Sequence, residues 1–218
     1  MKIAAKTLAA FLMIFTHIIK HRQGSSLSGR TFSPAAFSVL NTENLNILER
    51  VFLMENTKTK IVSVANQKGG VAKTTSAFNI AAILAQREKR VLMIDLDPQS
   101  SLSVSCMKYE YDPDDITITE LMSSIINKKT IDFKTAVHHN EPNNIDYIPA
   151  TITLSGIEVD LCRTRCCEMV LKRVLSNYIG CYDYIIIDCP PSLSNLLYNA
   201  LSAADMVLIP VLAQEMAL

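Results

Sequence analysis

The segment Asn66–Thr75, which reads NQKGGVAKTT, lies between two stretches with regular apolar patterns. The preceding run, Ile61–Ala65, is rich in β-branched residues and predicts a buried β-strand. Residues 73–87 follow with apolar side chains at helical spacing. A loop that leads from a strand into a helix collects unpaired backbone N–H groups and the positive end of the helix dipole at one point. The segment therefore predicts an anion-binding loop.

The residue types inside the loop suit a nucleoside triphosphate. Gly69 and Gly70 let the backbone turn tightly and approach an anion with no Cβ in the way. Lys73 supplies a full positive charge for the β- and γ-phosphates, and the Thr74 hydroxyl is placed to ligate Mg²⁺. We interpret the loop as a phosphate-binding loop rather than a flexible connection.

Further strands and helices follow in alternation. Val91–Ile94 completes a strand–helix–strand unit, which connects parallel strands. Thr117 and Glu120 have the spacing of a capping box, which predicts a helix running to Ile126. The remaining pattern predicts strands at 144–148, 184–187 and 206–211 and helices at 156–177 and 193–203. These five strands and their helices predict a three-layer α/β fold with a mainly parallel sheet.

Composition excludes several classes of protein. The 218 residues are 49% apolar and 19% charged, which supports a packed core. Lys and Arg number 21, as do Asp and Glu, so bulk charge does not indicate a strongly basic nucleic-acid binder. The six cysteines are few for a disulfide framework and favour a reducing, cytoplasmic location. No CxxC pair accompanies Cys162, Cys166 and Cys167, so we interpret them as small buried thiols on a helix face rather than metal ligands.

Residues 1–53 differ from the rest of the chain. Lys2 and Lys6 precede an apolar stretch from Leu8 to Phe15, which has the outline of a signal peptide but is short for a membrane span. Met54 begins a short polar lead-in to the first strand. We therefore expect residues 1–53 to be an N-terminal extension, poorly ordered or a short helix, and residues 54–218 to form the folded domain.

The loop departs from the strict pattern GxxxxGK[ST], because Gln67 and Ala72 stand where that pattern has glycines. The eight residues from Lys68 to Thr75, KGGVAKTT, instead resemble the deviant Walker A motif of the ParA/MinD group of P-loop ATPases. This resemblance implies an ATP·Mg²⁺ site. Its nucleotide-binding residues are Lys68, Gly69, Gly70, Val71, Ala72, Lys73, Thr74 and Thr75. It also implies a catalytic role for Lys68, which in this group reaches the partner's phosphates across an ATP-dependent homodimer.

Two acidic residues extend the resemblance. The run Asp95–Gln99, DLDPQ, is similar to a motif of the ParA/Soj branch, which implies that Asp97 orients the attacking water. From the residues alone, the less favoured alternative is that Asp97 is a solvated loop aspartate that caps a helix beginning near Ser100. The run Ile185–Asp188 resembles a Walker B strand, so Asp188, with Thr74, would hold Mg²⁺. The following Cys-Pro-Pro also matches the family's turn.

The sequence departs from the family pattern in two places. Ala72 replaces a glycine of the phosphate loop, and we expect a helical backbone there because the residue opens the helix. The chain also ends soon after the 206–211 strand, where this family continues, so we expect the fold to be incomplete at its C-terminal end. The usual DNA-binding region would then be missing.

The resemblance implies a cytoplasmic, slow, partner-stimulated ATPase. It would cycle between a nucleotide-dependent dimer and a monomer to segregate chromosome or plasmid DNA, with a ParB-like partner. Two alternatives stay open: a truncated nucleotide-binding module without catalysis of its own, and a MinD-like positioning ATPase anchored by residues 1–20. An apolar stretch this short binds membranes weakly, which makes the second alternative the less favoured.

Overall fold

The computed structural model describes residues 58–211. The predicted N-terminal extension of residues 1–53 therefore lies outside the described residues. Six strands form one sheet: β1 (Lys60–Val64), β2 (Val91–Asp95), β3 (His138–Asn140), β4 (Ile145–Ile148), β5 (Tyr184–Asp188) and β6 (Met206–Leu208). Five α-helices accompany them in the described part: α1 (Lys73–Gln86), α2 (Ile118–Asn127), α3 (Leu154–Cys162), α4 (Val170–Leu175) and α5 (Asn195–Ala203). A π-helical turn at Leu102–Cys106 and three short 3₁₀ turns complete the regular structure.

The strands lie in the order β3-β4-β2-β5-β1-β6. All neighbouring pairs are parallel except β3 and β4. The prediction of a mainly parallel α/β sheet is confirmed. The sequence pattern missed β3, because His138–Asn140 is three polar residues long and shows no apolar alternation.

Helices cover both faces of the sheet. The side chains of β2 and β5 are buried at every position, as expected for central parallel strands. α1 contacts β1, β2 and β5, while α2, α3, α4 and α5 contact one another. The apolar cluster formed by those four helices includes Leu92, Ile94, Ile185 and Ile187 but no residue of α1, so α1 occupies the opposite face. The fold therefore has three layers.

The helix predicted at 156–177 is wrong in extent, because the structure has two helices there. α3 ends at Cys162, and Cys166 then adopts a left-handed backbone with φ 53° before α4 begins. The Leu171 backbone N–H, in the first turn of α4, donates to the Asn199 side chain at 2.9 Å. This buried partner satisfies an N–H that an uninterrupted helix would have used internally, so it stabilises a second helix start.

Other predictions of local structure vary in accuracy. The capping box is present, with the Thr117 side chain accepting from Thr119 N–H and Glu120 accepting from Thr117 N–H. The last strand ends at Leu208 rather than at residue 211, and Pro210, two positions beyond that end, has no N–H with which to extend the ladder. The thiols predicted to be buried on a helix face are not: Cys162 and Cys166 are exposed, and Cys167 is half-buried.

Candidate nucleotide site

The sheet topology brings the predicted site residues to one edge. β1 and β5 are parallel neighbours, and Val64 pairs directly with Asp188. The loop that leaves β1 and the carboxylate that ends β5 therefore emerge side by side. Crevices at the carboxyl ends of such strands are where open α/β sheets bind ligands.

The phosphate loop is open to solvent at its tip and anchored at its base. Lys68, Gly69 and Gly70 are exposed, whereas Val71 is buried in the domain. Gly70 has φ 72°, a left-handed backbone that glycine adopts without steric cost. A Cβ built on Gly69 or Gly70 meets nothing within 4 Å, so the space above both residues is free for an anion.

The expectation for Ala72 is wrong. Ala72 has φ 62° and ψ 35°, which is left-handed, although its carbonyl accepts the first α1 hydrogen bond from Ser76 N–H at 2.9 Å. It is therefore the N-cap of α1 rather than its first helical residue. An L-residue pays about 1–2 kcal/mol for this conformation. The methyl group strains the loop at a position where glycine would not.

Lys73 and the two threonines begin α1. Lys73 is buried, and its Nζ donates to the Lys68 carbonyl at 3.3 Å, so its ammonium already lies inside the loop. Thr74 is half-buried and Thr75 is exposed. The backbone N–H groups of this first turn add partial positive charge at the same place.

Asp188 lies buried at the end of β5, 1% exposed. Among the described residues, neither of its carboxylate oxygens has a hydrogen-bond partner. Burial, and to a smaller extent the nearby Asp95 charge, raise the pKa of this carboxyl to about 8, while the Thr74 side chain and the Lys73 charge act in the opposite direction. A buried carboxylate with unsatisfied oxygens is costly unless a cation or a donor meets it. The residues present therefore fit a divalent cation held by Asp188 and the Thr74 hydroxyl.

Asp97 lies in the loop after β2, half-buried. Its Oδ1 accepts from Gln99 N–H at 2.9 Å, an Asx turn that shapes the DPQ segment. Its charge also contributes to the raised pKa of Asp188, so the two carboxyl groups lie within electrostatic reach of each other. A helical turn does begin near Ser100, as expected: Val104 N–H donates to the Ser100 carbonyl at 2.9 Å, and Leu102–Cys106 is π-helical rather than α-helical.

Sequence reasoning missed Asp95. This residue is fully buried and ends β2, and burial raises its pKa to about 6. Its Oδ2 accepts from both the backbone N–H and the hydroxyl of Ser103, at 2.8 and 2.7 Å, and its Oδ1 accepts from Asp97 N–H at 3.1 Å. Asp95 therefore holds the loop that carries Asp97. The available signal was the position of Asp95 at the end of an apolar strand, the same context as Asp188.

Two surface cavities lie away from these residues. One, of about 470 Å³, lies between α2 and α3; the other, of about 460 Å³, is lined by Arg90, His139 and Tyr182. No predicted site residue lines either cavity. The exposed tip of the phosphate loop is not part of either cavity.

Comparison with known proteins decides the family. A protein-family model described as an AAA domain matches residues 59–218. The chain is 44% identical over 164 residues to the sporulation initiation inhibitor protein Soj of Bacillus subtilis, covering 73% of this chain and 60% of Soj. It is 42% identical over 159 residues to the chromosome partitioning protein ParA of Myxococcus xanthus, covering 73% of this chain and 54% of ParA. The chain belongs to the ParA/Soj family of AAA-domain proteins.

A solved relative of this ParA/Soj-family chain contains nucleotide. The structure of cobyrinic acid a,c-diamide synthase from Mycobacterium smegmatis, with a bound ATP analogue and magnesium, superposes with a TM-score of 0.65 at 38% identity. The match covers 70% of this chain and 60% of that protein. The chain thus spans 54–60% of the length of the two curated relatives named above. In residues 58–211, no helix has both the length and the apolar character needed to cross a bilayer.

Proposed function

We propose that this ParA/Soj-family chain binds ATP·Mg²⁺ and hydrolyses it slowly in the cytoplasm. The observation that carries the proposal is the buried Asp188 carboxylate, which lacks a hydrogen-bond partner within the described residues and lies beside a loop that already holds Lys73. Magnesium, when bound, would neutralise charge on the β- and γ-phosphates. The nucleotide-bound relative described above supports this ligand.

Each residue has a distinct task in the proposed site. The exposed backbone of Gly69 and Gly70 approaches the phosphates, and the Lys73 ammonium exchanges its bond with the Lys68 carbonyl for phosphate oxygens. Thr74 and Asp188 hold the metal. Asp97 accepts a proton from the attacking water or orients it, in a loop fixed by Asp95.

We further propose that a nucleotide-dependent homodimer completes the site. Lys68 lies at the exposed tip of the loop, where its side chain would reach the phosphates held by a second copy of the chain. A cation supplied from the partner would stabilise charge in the transition state, as an arginine finger does. The cycle between dimer and monomer would segregate chromosome or plasmid DNA with a ParB-like partner. The name of the Myxococcus xanthus relative, chromosome partitioning protein ParA, supports the chromosome part of this role.

Hydrolysis by the full chain tests the central proposal. We expect Lys73→Ala to lower the rate by about 10²-fold or more, the usual cost of removing a group that stabilises transition-state charge. Lys172→Ala, which removes an exposed lysine of α4, is the matched control and should hydrolyse ATP at the wild-type rate. Equal rates for Lys73→Ala and the wild type contradict the assignment.

Light scattering with a non-hydrolysable ATP analogue tests the dimer. We expect the measured mass to double with the analogue in the wild type, and Lys68→Ala to remain a monomer.

A second candidate function, a nucleotide-binding module without catalysis of its own, is favoured by one observation: among the described residues, β6 pairs only with β1. A stable monomer that binds the analogue but does not hydrolyse ATP supports this candidate instead.

A further inference from the structure

The Asn66 side chain makes two hydrogen bonds in different directions. Its Nδ2 donates to the Pro210 carbonyl at 2.7 Å, and its Oδ1 accepts from Lys68 N–H at 2.9 Å. The two partners fix the orientation of the amide, because a carbonyl can only accept and a backbone N–H can only donate. One side chain thus joins the first turn of the phosphate loop to the backbone beyond β6.

The backbone of Lys68 connects Asn66 to the buried Lys73 of the phosphate loop. The Lys68 backbone that donates to Asn66 also accepts, through its carbonyl, the hydrogen bond from Lys73 Nζ at 3.3 Å. The contacts therefore run from Pro210 through Asn66 and Lys68 to the Lys73 ammonium.

The Pro210 carbonyl lies just beyond the point where the backbone pairing of β1 and β6 ends. Backbone pairing between β1 and β6 continues as far as the bond from Ala65 N–H to the Leu208 carbonyl, at 2.9 Å. Asn66 follows with a side-chain bond in place of the next backbone bond. The Pro210 ring fixes φ, which removes one of the two backbone rotations that set the direction of its carbonyl.

We propose that Asn66 is a positioning residue that couples the phosphate loop to the backbone after β6, so that the position of Pro210 sets nucleotide affinity. This inference rests on the proposed ATP site. Asn66 itself would not contact the nucleotide. It would act through the backbone of Lys68, whose N–H it binds and whose carbonyl accepts from Lys73. Any contact that moves Ile209–Pro210 would then regulate the loop from outside the site.

A double-mutant cycle in the full chain tests the coupling. Two readouts are used: hydrogen exchange of the Lys68 amide without nucleotide, and the dissociation constant of a fluorescent ATP analogue with Mg²⁺. We expect Asn66→Ala to speed Lys68 exchange and to weaken nucleotide binding by about fivefold to tenfold, as for the loss of a hydrogen bond. Pro210→Gly keeps the carbonyl but frees its direction, and should weaken binding by a smaller factor in the wild type and not at all in Asn66→Ala. Additive effects of the two substitutions overturn the proposal, because independent sites add.

Two further variants serve as a matched control and as a substitute in case Asn66→Ala does not fold. Asn79→Ala removes a similar amide-to-carbonyl bond, from Asn79 Nδ2 to the Thr75 carbonyl at 2.7 Å, and should change neither readout. Asn66→Asp keeps an acceptor for Lys68 N–H but loses the donor to Pro210. Its Lys68 exchange should therefore resemble that of Pro210→Gly and should not change further when Pro210→Gly is added. This variant serves if Asn66→Ala does not fold; a Pro210→Gly effect that persists in Asn66→Asp contradicts the coupling.

Failure of the two proposals can be told apart. If neither the wild type nor Asn79→Ala binds the analogue, the proposed ATP site is wrong, yet the Lys68 exchange data still report on the coupling. If both bind it and Asn66→Ala binds equally well, the ATP site stands and the coupling is wrong.

Discussion

Asp95 and Asp188 occupy directly paired positions at the carboxyl ends of the neighbouring parallel strands β2 and β5. Both are buried, yet their partners differ: Asp95 accepts three hydrogen bonds, whereas neither oxygen of Asp188 has a partner in the described part of the chain. One carboxylate therefore organises a loop, and the other stays available for a ligand. The division of roles follows from what surrounds each strand end rather than from the residue type.

The raised pKa of Asp188 predicts a specific pH dependence of stability. Burial raises this pKa to about 8 from an ordinary 3.8, so at intermediate pH the nucleotide-free folded protein keeps a proton that the unfolded chain has released. The free energy of unfolding should therefore fall between about pH 4 and 8, and Asp95, with its pKa raised to about 6, acts in the same direction. We expect Asp188→Asn to be more stable than the wild type near pH 8, by a few kcal/mol, and the difference to shrink towards pH 5.

Urea unfolding without nucleotide at several pH values measures this difference. Asp183→Asn is the contrasting control, because Arg90 lowers the pKa of Asp183 and its contribution is lost only as the pH falls into the acid range. A difference between Asp188→Asn and the wild type that stays constant from pH 5 to 8 would show that Asp188 does not titrate in this window.

The left-handed Ala72 predicts that glycine improves the loop. Ala72→Gly relieves about 1–2 kcal/mol of backbone strain but loses about 0.4–1 kcal/mol to the greater entropy of the unfolded chain. We therefore expect a net gain in stability of up to about 1.6 kcal/mol and tighter nucleotide binding. Ala82→Gly, within α1, makes the same chemical change in a helical backbone and should cost about 1 kcal/mol. Chemical denaturation compares the two; the same sign of change for both would argue against strain at Ala72.

Asp97→Asn separates the charge of Asp97 from its structural bond. The amide oxygen can still accept from Gln99 N–H, so the turn should persist and nucleotide affinity should change little. Loss of the carboxylate should lower the hydrolysis rate by about 10²- to 10⁴-fold, the range for a general base. The matched control is Asp112→Asn, since Asp112 Oδ1 makes the same type of turn with Asp114 N–H at 3.0 Å. Steady-state rates of both variants at saturating ATP decide whether the charge of Asp97 matters.

Ser103→Ala should destabilise the fold through Asp95. The Ser103 hydroxyl donates to Asp95 at 2.7 Å and accepts from Ala150 N–H at 3.0 Å, so its removal leaves two buried groups short of a partner. We expect a loss of roughly 1–3 kcal/mol. Ser124→Ala removes a buried hydroxyl that bonds only the Leu121 carbonyl of its own helix, and should cost less than about 1 kcal/mol. Thermal or urea unfolding measures both, and similar losses would contradict the role assigned to Ser103.

The sequence was most informative where local chemistry and burial agree. The strand Ile61–Ala65, the glycine turn of the loop and the helix α1 were correctly predicted, because the apolar period, the glycines and the lysine all favour the same arrangement. The strand that ends at Asp188 was predicted equally well, since four consecutive apolar residues before a single carboxylate indicate a buried strand with a polar end.

The errors arose where distant residues decide local structure. The break between α3 and α4 coincides with a bond from Leu171 to Asn199, 28 positions away, which no helical periodicity reveals. Asp95 was missed because its hydrogen bonds to Ser103 depend on how the turn after the strand folds back onto the strand end, which no apolar pattern reveals. For Ala72, a residue that opens a helix can have either backbone, and the fold rather than the alanine selects the left-handed one.

The insertion of β5 between β1 and β2 sets the order in which the protein can acquire its ligand during synthesis. A nascent chain that has emerged only as far as α3 contains the whole phosphate loop but lacks the central strand that separates β1 from β2. Pairing of residues 60–64 with residues 184–188 must wait until most of the domain has left the ribosome, and such non-local pairing is slow. Nucleotide capture would therefore be a late event in the biogenesis of this protein, and ATP would favour the completed domain over its folding intermediates.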